Sequence, residues 1–237
     1  MSPSLDKAAT VLRAFTVQKP EWGSRPLAAH LGWPRSTAQF YLSGLAGAGF
    51  LRHIPGGRYR LSWQLADFGA LLTDALPWFS RARSALADLA QATRGLGFLC
   101  VLEEDRVVCI HRALGDPEAH HTAVQTDVTL PANATAAGKI LYAYSGAPLP
   151  TFERFTPSTI TTPDEWAGEL ERVRADAYAH SIEEWIPGHC AVGLPLFWEG
   201  EVVAAFGVQL PSSRYLARER RVLARTRQAT RPWALPG

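Results

Sequence analysis

The sequence predicts an α+β protein in two parts, an N-terminal winged helix-turn-helix and a larger C-terminal domain with a mainly antiparallel sheet flanked by helices. Three observations predict it. Apolar residues recur three times at helical spacing before residue 50, and two short strand-like runs follow. From residue 76, helical runs mix with alternating β-type runs. Residues 1–62 carry eight Lys and Arg against two Asp and Glu, a net charge of +6, whereas the rest of the chain carries −4.

The composition excludes several classes of protein. No stretch approaches 18 consecutive apolar residues, which argues against a membrane partner. The first ten residues lack the apolar core of a signal peptide, so we expect a cytoplasmic protein. The three cysteines, Cys100, Cys109 and Cys190, have no metal-type spacing and are expected to be buried thiols.

The basic module is predicted to contain three helices. The first has an apolar stripe from Leu5 to Phe15, the second starts at Ser24 and stops at Gly32, and the third starts at Pro34 and stops near Gly47. Proline suits a first helical turn and glycine suits a helix end. A helix, a short turn with glycine and a second helix are typical of the helix-turn-helix motif.

A two-stranded wing is predicted after the third helix, with strands 50–54 and 58–61 joined at "PGG". The third helix carries hydroxyls, an amide and an arginine in its first turns, groups that donate to phosphates and base edges. For each residue alone, a solvated helix start with ordinary capping remains the alternative. The candidate DNA-binding residues are Arg25, Arg35, Ser36, Thr37, Gln39, Tyr41, Arg58 and Arg60.

The acidic part reads as a helix ending at Gly95, a hairpin of "LGFLCVLEE" and "RVVCIHRAL", and a polar irregular segment over 115–130. A short helix in "NATAAGKILYAYSG" and an amphipathic helix in "PDEWAGELERVRADAY" come next. Three strands and a final helix from about Ser213 to Thr230 complete the pattern. About 160 residues are enough to enclose a ligand pocket.

The chain resembles the isocitrate-lyase-regulator (IclR) family of transcription factors. Residues 4–72 carry the resemblance in "SLDKAATVLRAF", "RPLAAHLGWPRSTAQFYLSGLAGAGFLRH" and "GRYRLSWQLADFGALL". "PANATAAGKILYAY" and "GHCAVGLPLFWEGEVVAAFGVQLPSSR" extend it to about residue 230, with Asp127 and Ala132 standing where the family usually has Gly and Leu. The resemblance implies a winged helix-turn-helix over 1–62, a linker helix over 63–75 and a GAF-like effector-binding domain over 76–237.

The resemblance also implies a ligand site against the sheet, covered by the segment around 134–139. Small residues there would let a ligand approach the helix start, whose N–H groups could hold a carboxylate. Tight helix-on-sheet packing is the alternative for these small residues, and a hydrogen-bonded structural role is the alternative for each histidine. The candidate effector-binding residues are His111, Ala134, Thr135, Ala136, Ala137, Gly138, Glu184, His189, Cys190 and Ala191.

The function implied is a ligand-responsive, sequence-specific transcriptional regulator with no cofactor. Its expected partners are double-stranded DNA with a palindromic operator, a small-molecule effector such as a carboxylate, and further copies of itself as a homodimer or dimer of dimers. The expected dimer face comprises Leu65, Phe68, Leu71 and Leu72 of the linker helix. The alternative is a small-molecule sensor whose winged helix contacts a protein partner.

Catalysis is not expected, because the sequence carries no G-x-S-x-G, H-E-x-x-H or phosphate-loop motif. Cys190 and His189 are strand neighbours, so their side chains point to opposite faces and do not form a nucleophile–base pair. A metal site built from His111, His120 and His121 is not supported, because their spacing is not diagnostic of metal ligands.

Overall fold

The structure, a computed structural model, describes residues 3–116 and 129–234. The chain divides into two compact units, residues 1–77 (unit 1) and 78–237 (unit 2). Most of the segment predicted to be irregular, together with Asp127, His120 and His121, lies outside the described residues. Over the part of the chain that is described, no helix combines the length and apolarity needed to span a membrane.

Unit 1 packs three helices against a small antiparallel sheet. Its elements are α1 (Pro3–Arg13), β1 (Glu21–Gly23), α2 (Ser24–Leu31), α3 (Arg35–Gly47), β2 (Leu51–Ile54), β3 (Arg58–Leu61) and α4 (Gln64–Asp74). Val11, Leu27 and Leu42 bring the three helices together in a core from which water is fully excluded. Gly32 ends α2 in the left-handed region, with φ of 67°, which glycine adopts without strain.

The wing has three strands rather than the predicted two, in the order β1-β3-β2. The sequence "QKPEWGS" reads as a loop, yet residues 21–23 pair with β3. The cause is Trp22, whose side chain is buried in the unit 1 core and whose indole N–H donates to the carbonyl of Ala14 over 2.8 Å. A buried tryptophan with its N–H satisfied holds this short segment against the sheet.

Helix α4, Gln64–Asp74, lies within the bounds of 63–75 predicted for the linker helix. None of its residues is buried within the chain. Phe68, Leu71 and Leu72 are 59%, 69% and 67% exposed, whereas Leu65 is half-buried. The face predicted to contact a second copy is therefore uncovered in the single chain.

Unit 2 is built on a six-stranded antiparallel sheet with helices on both faces. Its elements are α5 (Phe79–Thr93), β4 (Leu96–Glu103), β5 (Arg106–Leu114), β6 (Thr129–Leu130), α6 (Ala136–Tyr144), α7 (Pro163–Asp176), β7 (Ala179–Ile182), β8 (His189–Trp198), β9 (Glu201–Pro211), α8 (Ser212–Leu216) and α9 (Glu219–Thr230). The strand order is β6-β5-β4-β9-β8-β7. With unit 1, this architecture confirms the predicted fold class.

Adjacent residues of β4 show how the two faces of the sheet are used. A Cβ on Gly97 would lie 2.9 Å from the side chain of Leu86, so α5 packs closely on that face. Phe98 points to the other face, towards α6, and its ring lies over Gly207 of the adjacent strand β9 and Gly193 of β8, the next strand along. These two glycines make room for an aromatic ring against the backbone of the sheet.

The predicted final helix is broken into α8 and α9. The N–H of Arg218 bonds back to the carbonyl of Tyr215, and Arg218 then leaves helical geometry with φ of −142°. Tyr215 is only 1% exposed, and Trp233 is buried beyond the end of α9. Burying these two aromatic rings takes precedence over continuing one straight helix.

Candidate functional site

The outward surface of α3 is the candidate DNA interface. Ala38, Leu42 and Leu45 face the core of unit 1, so the opposite side of the helix is free. Arg35 and Ser36 are exposed in the first turn. The first-turn N–H groups of a helix have no intrahelical partners, and α3 contains no acidic residue, so its N-terminal end is electropositive. Arg35 adds positive charge there, although its Nε donates to the hydroxyl of Ser24 over 3.4 Å.

Three of the other residues predicted to contact DNA from α3 are less accessible, or more constrained by neighbours, than Arg35 and Ser36. Thr37 is half-buried. The amide of Gln39 donates to the hydroxyl of Tyr59 on the wing over 3.0 Å. Tyr41 is half-buried, and its hydroxyl donates to Ser4 over 3.3 Å. Gln39 and Tyr41 therefore connect α3 to its neighbours, a role that helical spacing alone could not indicate.

The wing arginines share one partner. Arg58 and Arg60 reach the two carboxylate oxygens of Glu21 over 2.7 and 2.8 Å, so they lie on one face, as strand alternation predicts. Both arginines are about half exposed and remain accessible from solvent. Arg25 is exposed on the first turn of α2. A duplex reaching the wing would therefore compete with Glu21 for both guanidinium groups.

Phe40 is a residue that sequence reasoning missed. It lies on the side of α3 opposite the core and is 67% exposed. Its position two residues from both Ala38 and Leu42 gives this outward direction and could have identified it. Its ring packs edge-on against Tyr41 with centroids 5.3 Å apart.

Unit 2 contains a cavity between the sheet and the start of α6. It holds about 400 Å³ of empty space, a volume that includes its open mouth. Its lining comprises Phe98, Leu130, Ala134, Thr135, Ala136, Ala137, Ser181, Trp185, Ile186, His189, Cys190, Ala191 and Gln209.

Seven of the ten candidate effector-binding residues line this cavity, and three do not. His111 is on the α5 face of the sheet, where its ring lies 6.0 Å from that of Phe79. Burial lowers its pKa, and Arg83 lowers it further. Gly138 serves packing instead, because a Cβ there would meet the backbone of Ala132.

Glu184 is the third candidate residue that does not line the cavity, and it pairs with Lys139 instead. Its carboxylate lies 2.7 Å from the buried Lys139 ammonium, which also lies 3.2 Å from Glu169. Burial raises the pKa of Glu184, although Lys139 opposes the rise. For Glu169 burial acts in the same direction, but the ion pairs with Arg172 and Lys139 outweigh it and lower its pKa. This network joins α6, α7 and the segment after β7.

Most polar side chains in the cavity wall already have hydrogen-bond partners. Ser181 donates to the carbonyl of Ala134 over 2.8 Å. The hydroxyl of Thr135 caps α6 by accepting from the N–H of Gly138, and it donates to the carbonyl of Pro131. Cys190 is 3.4 Å from the hydroxyl of Ser212. These groups shape the wall and retain little capacity for a ligand.

Gln209 has no such partner, and sequence reasoning missed it. Its side chain is only 7% exposed, lines the cavity and makes no hydrogen bond to any residue in the described ranges. The N–H groups of Ala136 and Ala137 are likewise without a partner in the described part of the chain. Because Gln209 lies opposite Ala191 in the β8–β9 ladder, strand register could have placed it beside that candidate residue. The side-chain amide of Gln209 and these two backbone N–H groups therefore remain for a ligand.

No group of three or more His, Cys, Asp or Glu in residues 3–116 and 129–234 is arranged to hold a metal ion. All three cysteines are free and buried.

Comparison with known proteins gives a consistent result over both units. Residues 4–55 match the IclR helix-turn-helix domain, and residues 71–234 match the bacterial transcriptional regulator IclR C-terminal domain. The chain is 29% identical over 199 residues to the glycerol operon regulatory protein of Streptomyces coelicolor, covering 81% of this chain and 78% of that one. It is 26% identical over 223 residues to the p-hydroxybenzoate hydroxylase transcriptional activator of Acinetobacter baylyi, covering 89% and 82%.

Among solved structures, an IclR transcriptional regulator from Alicyclobacillus acidocaldarius superposes with a TM-score of 0.81 at 25% identity, covering 99% of this chain and 97% of that one. The helices and wing of unit 1 and the sheet of unit 2 are therefore parts of a shared architecture. The chain belongs to the IclR family of transcriptional regulators, with a helix-turn-helix DNA-binding domain followed by the family's C-terminal domain.

Proposed function

We propose that the protein is a sequence-specific DNA-binding regulator that binds a palindromic operator as a homodimer and responds to a small molecule held in the unit 2 cavity. The observation that carries this proposal is the first turn of α3, where Arg35 and Ser36 are exposed on a helix without acidic residues. Residues 1–62 add a net charge of +6, which suits a phosphate backbone. A helix N-terminus in the major groove can supply both phosphate and base contacts.

We infer a dimer from the length of DNA that one winged helix can contact. One winged helix contacts about half of an operator, so two copies are needed to read a palindrome with half-sites about one helical turn, or a multiple of it, apart. The exposed apolar face of α4 supports this assembly. In sedimentation velocity, Leu71→Asp should shift the protein towards monomer. Leu149→Asp is the matched control, because Leu149 is similarly exposed in unit 2.

The cavity favours a small planar ligand with an acidic group. Phe98 and Trp185 contribute aromatic rings to the cavity wall, and a planar ring can stack against such side chains. The free N–H groups of Ala136 and Ala137 can hold a carboxylate at the positive end of α6, with Gln209 within the same lining. The described lining offers no lysine or arginine, so a ligand with several negative charges is disfavoured.

Regulation requires coupling between this ligand and DNA. A ligand changes operator affinity only when it binds the operator-bound and free states with different affinity. We propose that a ligand in the unit 2 cavity binds these two states with different affinity. The relative named for p-hydroxybenzoate hydroxylase makes 4-hydroxybenzoate the first compound to test, with glycerol as a small non-planar comparison.

Operator binding is tested by selecting duplexes from a random-sequence library with the full chain, then measuring affinity by fluorescence anisotropy at several salt concentrations. We expect one enriched palindromic sequence whose binding weakens steeply as salt rises. A salt-insensitive interaction, or no enrichment, would contradict DNA binding and favour a protein partner. A thermal-shift screen then identifies acids that raise Tm with concentration, and these are added to the operator titration.

A further inference from the structure

Phe40 holds a position on α3 that neither the core nor a neighbouring element explains. It is two residues from Ala38 and two from Leu42, both fully buried. Two residues correspond to about 200° of helical rotation, so Phe40 points almost directly away from the core. Its ring is 67% exposed, a costly arrangement for a side chain that gains from burial.

The surroundings of Phe40 match a nucleic-acid groove better than an apolar interface. Ser36 and Ser43 share its side of the helix, and both are exposed. Gly44 and Gly47 follow, and a Cβ at either would meet nothing within 4 Å. Phe40 is thus one large apolar side chain projecting from a face that is otherwise small and polar. The arginine in the first turn adds positive charge along the same helix.

The geometry points to Phe40 as a specificity-determining residue that contacts the 5-methyl groups of thymines in the major groove of the operator. The thymine methyl is the apolar group that the major groove presents, and aromatic side chains are among those that contact it. This inference rests on the proposed function. It adds a chemical preference, namely thymine at the base pairs opposite the middle of α3.

Thymine-to-uracil substitution tests this contact, because uracil lacks only the 5-methyl group. The selected operator is prepared with each thymine replaced in turn by deoxyuridine, and full-length wild type, Phe40→Ala and Val17→Ala are titrated against each duplex by anisotropy. Burying one methyl group is worth roughly 0.8 kcal/mol, or about fourfold in affinity. Val17 is 81% exposed in unit 1 and serves as the control for loss of an exposed apolar side chain.

We expect wild type and Val17→Ala to lose about fourfold in affinity at one or two thymines in each half-site. Phe40→Ala should bind the unmodified operator more weakly and be indifferent to uracil at those same positions. The thermal unfolding and sedimentation of Phe40→Ala should match wild type, because the ring is outside the core.

Two results overturn the assignment while leaving the proposed function intact. One is an equal uracil pattern in wild type and Phe40→Ala, including no sensitivity in either. The other is dissociation of the oligomer in Phe40→Ala, which would place the ring against a second copy of the chain. If no sequence is selected at all, the proposed function fails and this inference fails with it.

Discussion

The two units differ in where they carry hydrogen-bonding groups that have no partner in the described part of the chain. In unit 1 such groups are exposed at the start of α3, on Ser36 and at the helix N-terminus, where a duplex could reach them. In unit 2 the polar groups line the cavity, and the hydroxyls of Ser181 and Thr135 bond to backbone groups of the cavity wall. The Gln209 amide and the N–H groups at the start of α6 make no such bonds. The difference teaches that exposed side chains support the proposed interface of unit 1, whereas hydrogen-bonding groups without a described partner support the proposed ligand site of unit 2.

The largest loss of stability is expected at the buried ion pairs of Lys139 in unit 2. Lys139→Ala would leave Glu184 and Glu169 without their shared ammonium, and removing one partner of a buried ion pair costs about 3–5 kcal/mol. Urea unfolding measures the loss. Arg106→Ala breaks the exposed pair with Glu103 and should cost less than about 1 kcal/mol. Similar losses in both variants would contradict a buried network.

Within unit 1, substitutions at a buried and at an exposed position of α3 should have very different effects on the free energy of unfolding. Leu42→Ala should lower the free energy of unfolding by about 2–5 kcal/mol, because Leu42 is fully buried. Phe40→Ala should change it by less than about 0.5 kcal/mol, as for other surface positions. The comparison fails if Phe40→Ala destabilises the chain as strongly as Leu42→Ala does in the same urea titration.

Substituting two residues of the cavity wall should change the stability of the unliganded protein in opposite directions. Gln209→Leu replaces a cavity-lining amide that has no partner in the described part of the chain with an apolar side chain, and should stabilise the unliganded protein by up to about 1 kcal/mol. Ser181→Ala leaves the carbonyl of Ala134 unsatisfied and should destabilise it by about 1 kcal/mol. Calorimetric Tm values measure both. A loss of stability in Gln209→Leu would mean that the amide serves the fold rather than a ligand.

The smallest effect concerns the wing. Glu21→Gln releases Arg58 and Arg60 from a surface ion pair, so operator affinity should rise by up to about 1 kcal/mol, or roughly fivefold. Anisotropy at fixed salt measures the change, with Asp67→Gln on α4 as a control for losing one negative charge. Weaker binding in Glu21→Gln would indicate that the carboxylate positions the arginines for DNA.

The sequence allowed more of unit 1 than of unit 2 to be predicted, for a physical reason. Helical period assigns directions along α3, so Arg35 and Ser36 could be placed on the surface without coordinates. That period gives no partners, so the bond from Gln39 to Tyr59 was not foreseen. Strand β1 was missed because its formation depends on burying Trp22 against residues distant in the chain.

In unit 2 the resemblance located the segment around Ala134 but could not separate cavity wall from packing. Gly138 meets backbone, and Glu184 is recruited by a lysine 45 residues away in sequence. His111 falls on the opposite face, which the β4–β5 register decides. Gln209 became visible only when β9 was aligned against β8. Cross-strand neighbours come from register, which a single sequence leaves open.

The central claim, that α3 brings positive charge and hydrogen-bond donors to a duplex, is tested most directly by the salt dependence of operator affinity in wild type and Arg35→Ala. Each lost phosphate contact should reduce the slope of log K against log salt by about one. We predict a steep slope for wild type and a slope shallower by about one for Arg35→Ala, with Arg106→Ala unchanged. Equal slopes in wild type and Arg35→Ala would contradict the placement of α3 on DNA.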